Sequence, residues 1–309
     1  MILTLAAATV LVTATPFDTT LAVRPGVRLE VNNFGGEISI ASWGRNAVRV
    51  EAAHSNRVRT QVEARDAAIL VRSTGRMGVP AAVDYRILVP RWMDLKLSGV
   101  YTDVTVDGTQ GGISAETVRG DVNVKGGRGF IHLSSIEGEV ALRNAQGRVE
   151  VSSVNQDVRL TDVEGEITAE TVNGDLQFAR VSSPVVEAAT VNGDVTYDGS
   201  IRNEGRYRFA THNGDVEVLM PTQANATVSV ATFSGDFEST FPVNVAETRK
   251  GKRFRFTLGS GSAMVELESF QGTVRLQRSG ERLRTLERRV VDRLKRSEKG
   301  DKLKHEEED

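Results

Sequence analysis

A short turn written Asn-Gly-Asp, or a near relative of it, recurs along the chain at an almost constant step, and this recurrence constrains the fold more than any other feature. Full copies stand at Asn173-Gly174-Asp175, Asn192-Gly193-Asp194 and Asn213-Gly214-Asp215. Relatives stand at Arg119-Gly120-Asp121, Glu137-Gly138-Glu139, Gln156-Asp157 and Ser234-Gly235-Asp236. From Thr102 through Gly120, Gly138 and Gln156 to Gly174 each step is 18 residues, and it then lengthens to 19, 21 and 21. Gly36 and Gly272 are outlying copies. A unit this short cannot enclose a core by itself, whereas a stack of such units can.

Alignment on the turn position gives columns of constant residue class. Two and four residues after it come apolar pairs such as Val122/Val124, Val140/Leu142, Val158/Leu160 and Leu176/Phe178. Seven and five before it come Ile113/Ala115, Ile131/Leu133, Val149/Val151 and Ile167/Ala169. Spacing by two is the period of a strand. A further column two before the turn runs Phe34, Val100, Val118, Ile136, Val154, Val172, Val191, His212, Phe233 and Phe270. All these columns are read as core-facing, with a corner at the turn where the alternation is interrupted. The reading is all-β: a single-stranded β-solenoid (β-helix) of about ten coils, which at a strand spacing of ~4.8 Å makes a rod of roughly 45 to 50 Å. A β-sandwich or meander of hairpins would use the same turns. It would seldom hold residue class at five sites over many units, so the solenoid is preferred.

The chain divides accordingly. Residues 1–14 are apolar apart from three threonines and end in small residues before Thr15-Pro16, as in the core of a signal peptide. Residues 15–95 read as a β-rich N-terminal cap, 96–279 as the solenoid repeats, and 280–309 as a C-terminal amphipathic helix and charged tail. In that last segment Leu283, Leu286, Val290, Val291 and Leu294 fall at helical spacing between Glu281 and Lys299. The helix is expected to cover the last coil around Val274 and Leu276, whose open edge would otherwise invite strand addition. No stretch after the first reaches the ~18 apolar residues of a membrane span, so none is expected in the mature chain.

The residues that carry chemistry are few. The chain contains 39 Lys+Arg and 41 Asp+Glu, which gives no field to hold a polyanion, so nucleic acid is not an expected partner. With no Cys, thiol nucleophiles, thiolate metal sites and disulfides are excluded. No metalloprotease, serine-hydrolase or phosphate-loop motif is present, and the four His are scattered. Catalytic residues and cofactors are therefore not expected. The one metal candidate is the Asp column following the turn, with Asp175, Asp194 and Asp215 as its clearest members. Stacked carboxylates either repel or share a hard cation such as Ca²⁺. The simpler account is turn chemistry, in which Asn and Gly accept positive φ and Asp satisfies nearby backbone donors. A hydroxyl column three before the turn, with Thr117, Ser135, Ser153, Thr171, Thr190, Thr211, Thr232 and Ser269, is expected to form a buried hydrogen-bonding ladder. His212 reads as a structural member of its apolar column. Arg119-Gly120-Asp121 spells a cell-attachment tripeptide but occupies an ordinary turn.

The pattern of Thr, an apolar residue, Asn-Gly-Asp and alternating Val/Leu, as in Thr171-Val172-Asn173-Gly174-Asp175-Leu176 and Thr190-Val191-Asn192-Gly193-Asp194-Val195, resembles a bacterial adhesin-type family, a domain of unknown function built from β-strand repeats. The resemblance spans about residues 30 to 278. It implies a repetitive, envelope-associated protein and supplies no catalytic residues. The expected function is that of a non-enzymatic, periplasmic or secreted, cell-surface module with an adhesive, binding or scaffold role. Its partner would be a protein or glycan of the cell envelope, met on strand faces that carry small polar residues such as Ser114, Ser134, Ser152 and Thr168. A carbohydrate-active β-helix enzyme and an envelope-stress regulatory module are the alternatives.

Overall fold

Extended, β-branched stretches punctuated by glycine favour strands, and the computed structural model, which describes residues 15–75, 78–243 and 252–279, is all β with no helix among them. Its central coils are built from β7 (Leu95–Thr109), β8 (Ile113–Thr117), β9 (Val122–Gly126), β10 (Arg128–Ser135), β11 (Val140–Ser153), β12 (Val158–Glu170), β13 (Leu176–Asn192) and β14 (Val195–Asn213). Each coil lies parallel to the next with the register of the repeat. Val140 faces Val158 and Val149 faces Ile167, and one level on Val158 faces Leu176 and Ile167 faces Val186. The chain thus makes two parallel-stranded faces joined at the turn edge on one side and at a second corner on the other.

The core is the space between the faces. Val122, Val140, Leu142, Val149, Val158, Ile167, Leu176 and Val195 are all exposed by 1% or less, so every level adds its side chains to one continuous apolar column. Full burial of such a side chain contributes about 1.5–3 kcal/mol before conformational entropy is charged against it. Where the step lengthens to 19 and 21 residues the column widens with aromatics. Phe178, Tyr197 and Phe209 pack with ring centroids 4.8 to 6.4 Å apart. Both phenols there are satisfied, Tyr197 donating to the Ser200 carbonyl at 2.9 Å and Tyr207 to the Ser183 carbonyl at 2.6 Å. Burial pushes both phenol pKa values up.

At both ends the order in space departs from the order in sequence. The remaining strands are β1 (Thr15–Ala22), β2 (Arg28–Trp43), β3 (Ala47–His54), β4 (Val58–Ala64), β5 (Ala68–Gly75), β6 (Asp84–Pro90), β15 (Val216–Met220), β16 (Ala226–Thr232), β17 (Phe237–Ser239), β18 (Lys252–Leu258), β19 (Ala263–Gln271) and β20 (Val274–Arg278). One face runs β4-β5-β2-β7-β8-β10-β11-β12-β13-β14-β19-β16-β18, with β4 and β18 antiparallel to their neighbours. The other runs β1-β3-β6-β2-β7-β9-β11-β12-β13-β14-β15-β20-β17. The last coil in sequence, β19–β20, is therefore slotted inside the coil that precedes it.

Two expectations are corrected by this arrangement. Residues 15–95 are not a separate cap, because β2, β5 and β6 form two further levels of the same stack; only β1, β3 and β4 lie outside it. Val274 and Leu276 are not at an open edge, since β15 and β17 pair with β20 from either side and both residues are fully buried. The antiparallel strand β18 covers the terminal level on the other face. The segment 1–14 and the expected helix from Glu281 to Lys299 lie outside the described residues.

Candidate functional site

The turn edge holds the repeat together in three ways, all between levels. Thr117, Ser135, Ser153, Thr171, Thr190, Thr211 and Ser269 each donate from the side-chain hydroxyl to a turn carbonyl of the neighbouring coil at 2.8 to 3.0 Å. All are buried, so the expected ladder is present. The Asp column works by the same logic. Asp103 Oδ1 accepts from the Asp121 N–H at 2.9 Å, Asp157 from Asp175 at 2.9 Å, Asp175 from Asp194 at 2.8 Å, Asp194 from Asp215 at 2.8 Å and Asp215 from Thr273 at 2.7 Å. Asp175, Asp194 and Asp215 thus each spend one carboxylate oxygen on a backbone donor one level away, and no group of three or more His, Asp or Glu arranged to hold a metal occurs among the described residues.

The glycines have a different cause from the expected one. Gly174, Gly193 and Gly214 do not have positive φ. A Cβ built on Gly193 would overlap the Gly174 carbonyl oxygen, and one built on Gly214 would overlap that of Gly193. The levels approach so closely at the turn that only a hydrogen can stand there. Left-handed backbone sits instead at the opposite corner, where Asn144, Asp162 and Arg180 share φ of 54° at 18-residue spacing. Arg180 donates twice to the Asp162 carboxylate at 2.6 Å and holds its pKa below the usual carboxylate range.

The main departure from the sequence reading concerns the column two before the turn. It points outward. Phe34, Val118, Ile136, Val154, Val172, Val191, Phe233 and Phe270 are 38 to 59% exposed, and His212 is exposed with them. Together they form a ridge of apolar side chains crossing successive levels. The signal was present in the sequence: the buried hydroxyl at −3 continues the inward parity of −7 and −5, which obliges −2 to face outward. At one end Phe34 meets Tyr101 edge-on at 5.6 Å. At the other His212, Phe270 and Phe233 stack nearly parallel at 4.6 and 4.7 Å, so His212 belongs to an exposed aromatic stack and not to the core. A groove beside these rings is lined by Ala210, Ala231, Glu268 and Arg253.

Polar side chains flank the ridge. Beside it runs an amide ladder, with Asn192 donating to Asn173 at 2.8 Å and Asn213 to Asn192 at 2.7 Å. Arg119 lies over the Tyr101 ring and bonds Glu137 at 2.5 Å, which lowers the Glu137 pKa; the Asp121 carboxylate accepts from Glu139. Arg119 and Asp121 are therefore engaged between levels, as an ordinary turn requires.

Coils stacked in register around one apolar column, with an exposed edge of repeated composition, define a repetitive, solenoid-like all-β protein. Residues 16–277 match the Toastrack DUF4097 family model, and the chain belongs to that family. No curated protein matches it in sequence. Among solved structures it is similar to a candidate adhesin from Bacteroides fragilis NCTC 9343, at 13% identity over 86% of this chain and 98% of that one with a TM-score of 0.44. It is also similar to a candidate lipid binding protein from Parabacteroides distasonis ATCC 8503, at 9% identity over 85% and 96% with a TM-score of 0.42. A candidate cell adhesion protein from Clostridium sporogenes ATCC 15579 gives 12% identity over 86% and 100% with a TM-score of 0.23. Superpositions this loose assign no function.

Proposed function

We propose that the protein is a non-enzymatic, exported β-solenoid that acts as an adhesive or scaffold module of the cell envelope, and that its binding surface is the turn edge. The exposed apolar ridge carries this reading. An apolar stripe repeated across the levels does nothing for the core, and contiguous exposed apolar surface of this kind marks interaction sites. The strand faces, with Ser134 bonded to Ser152 and Arg208 to Glu187 and Glu268, are occupied by their own polar contacts. Export follows from the apolar run at 1–14, and fractionation of cells expressing the chain with and without that run tests it. For binding, the triple variant Val154→Ser, Val172→Ser, Val191→Ser should keep its melting temperature and lose retention on isolated envelope material. Undiminished retention would place the binding surface elsewhere.

A further inference from the structure

We infer that the turn edge binds a polypeptide segment in which an apolar stripe is flanked by Lys and Arg side chains. The inference rests on the reading of the ridge as the binding surface and names the chemistry of its partner. The whole chain is nearly neutral, with a net charge of −2. The edge is not. Acidic residues stand beside the ridge at +1 (Glu37, Asp103, Asp121, Glu139, Asp157, Asp175, Asp194, Asp215 and Asp236), at −4 (Glu116, Glu170 and Glu268) and at −1 (Glu137). Across the positions from −4 to +1 the only Lys or Arg is Arg119. Two arginines reach in from the next column, Arg159 to Glu139 and Asp157 and Arg275 to Asp215, and leave most of the acidic excess in place.

This charge pattern decides between occupants. A second copy meeting the ridge with its own would set one acidic border against another, and like charges held close cost several kcal/mol. The ridge is also narrow: side chains about two-fifths exposed offer on the order of 600 Å² together, short of the ~800 Å² per partner of a standard interface. An anionic lipid surface is repelled for the same reason as a second copy. A cationic amphipathic segment laid along the ridge satisfies both features at once, its apolar stripe on Val118 to Val191 and its cations over the carboxylate borders. At the aromatic end the small Ala210 and Ala231 leave a groove that accepts a long side chain, its methylenes against Phe233 and Phe270 and its charge toward Glu268, while the groove's own cation, Arg253, comes from the outermost strand.

The test uses the full chain and fluorescence anisotropy with three probes: a labelled amphipathic peptide of Leu and Lys, the same peptide with Glu for Lys, and neutral or anionic phospholipid vesicles. The Leu/Lys peptide should bind, more weakly as salt is raised, because the borders are solvent-exposed and screened. The triple Ser variant of the ridge should weaken it by about tenfold, as for loss of clustered interface anchors, without a change in melting temperature. Glu116→Gln with Glu170→Gln should weaken it and flatten the salt dependence. Equal binding of the Leu/Glu peptide, binding of vesicles only, or wild-type affinity in the ridge variant would each overturn the inference. If envelope retention falls in the ridge variant while the Leu/Lys peptide fails to bind, the partner chemistry is wrong and the binding edge stands. If neither measurement responds to the ridge, both readings fall.

Discussion

Gly193 illustrates how a residue can be legible in type and misread in cause. Its recurrence marks the turn, but the reason for it lies one level away, at the Gly174 carbonyl, where no local pattern in the sequence records it. Gly193→Ala should accordingly destabilise by about 1–3 kcal/mol, because the added methyl forces two levels apart. Gly44→Ala, which meets nothing within 4 Å, should be nearly silent in the same melts. The hydroxyl column was readable in full, since burial of a Thr or Ser at a fixed place in every unit demands a fixed partner. Thr171→Val leaves the Gln156 carbonyl without its donor and should cost about 1–2 kcal/mol in chemical denaturation. Asp175→Ala likewise frees the Asp194 N–H. If instead Ca²⁺ raised the melting temperature, and the rise vanished in Asp175→Asn with Asp194→Asn, the carboxylates would be ligands and not only acceptors.

Within a coil, the period of two showed which residues share a face but did not show where that parity breaks. The columns at −7, −5, +2 and +4 are core, as their residue class implies, whereas the equally apolar column at −2 is not, because the chain turns between −3 and +2. Comparing Val158→Asp with Val172→Asp tests this directly. The first puts an unpaired carboxylate between levels where Val158 is 1% exposed and should cost several kcal/mol; the second, at a site 41% exposed, should leave stability almost unchanged. The opposite corner makes a pH-dependent prediction. Asp162 has its pKa lowered by the hydrogen bonds from Arg180, so its contribution is complete above the unfolded carboxylate pKa of ~3.9 and is lost as pH falls through the lower folded value. Asp162→Asn keeps a residue tolerant of the left-handed backbone. The gap in melting temperature between the two proteins should be constant from about pH 8 to about 5 and close below ~4.

At the scale of the whole molecule, the stack of coils was legible and the order of its ends was not. The central levels pair at 18 residues, which the repeat declares, but β19 lies against β14 some 55 to 60 residues earlier, and nothing in either sequence distinguishes that neighbour from β16. The eleven parallel levels from β6 to β17, at ~4.8 Å each, should give an elongated particle of about 48 Å in low-angle scattering. A compact sphere would contradict the stack. Removal of residues 280–309 keeps both neighbours of β20 in place and should leave the protein monomeric. Truncation after Ser262 removes β19 and β20, bares the edges of β14 and β15, and should produce concentration-dependent association in analytical ultracentrifugation.

The slotting of β19–β20 inside the preceding coil also bears on how the rod responds to a pull. In a stack wound strictly in sequence order, tension on the C-terminal end peels the outermost coil by breaking one ladder, bond after bond. Here the strand that leads to Ser279 is hydrogen-bonded along both edges, to β15 and to β17, so the same load must shear two ladders together. A module tethered through that end would hold its fold under drag that strips an ordinary terminal coil.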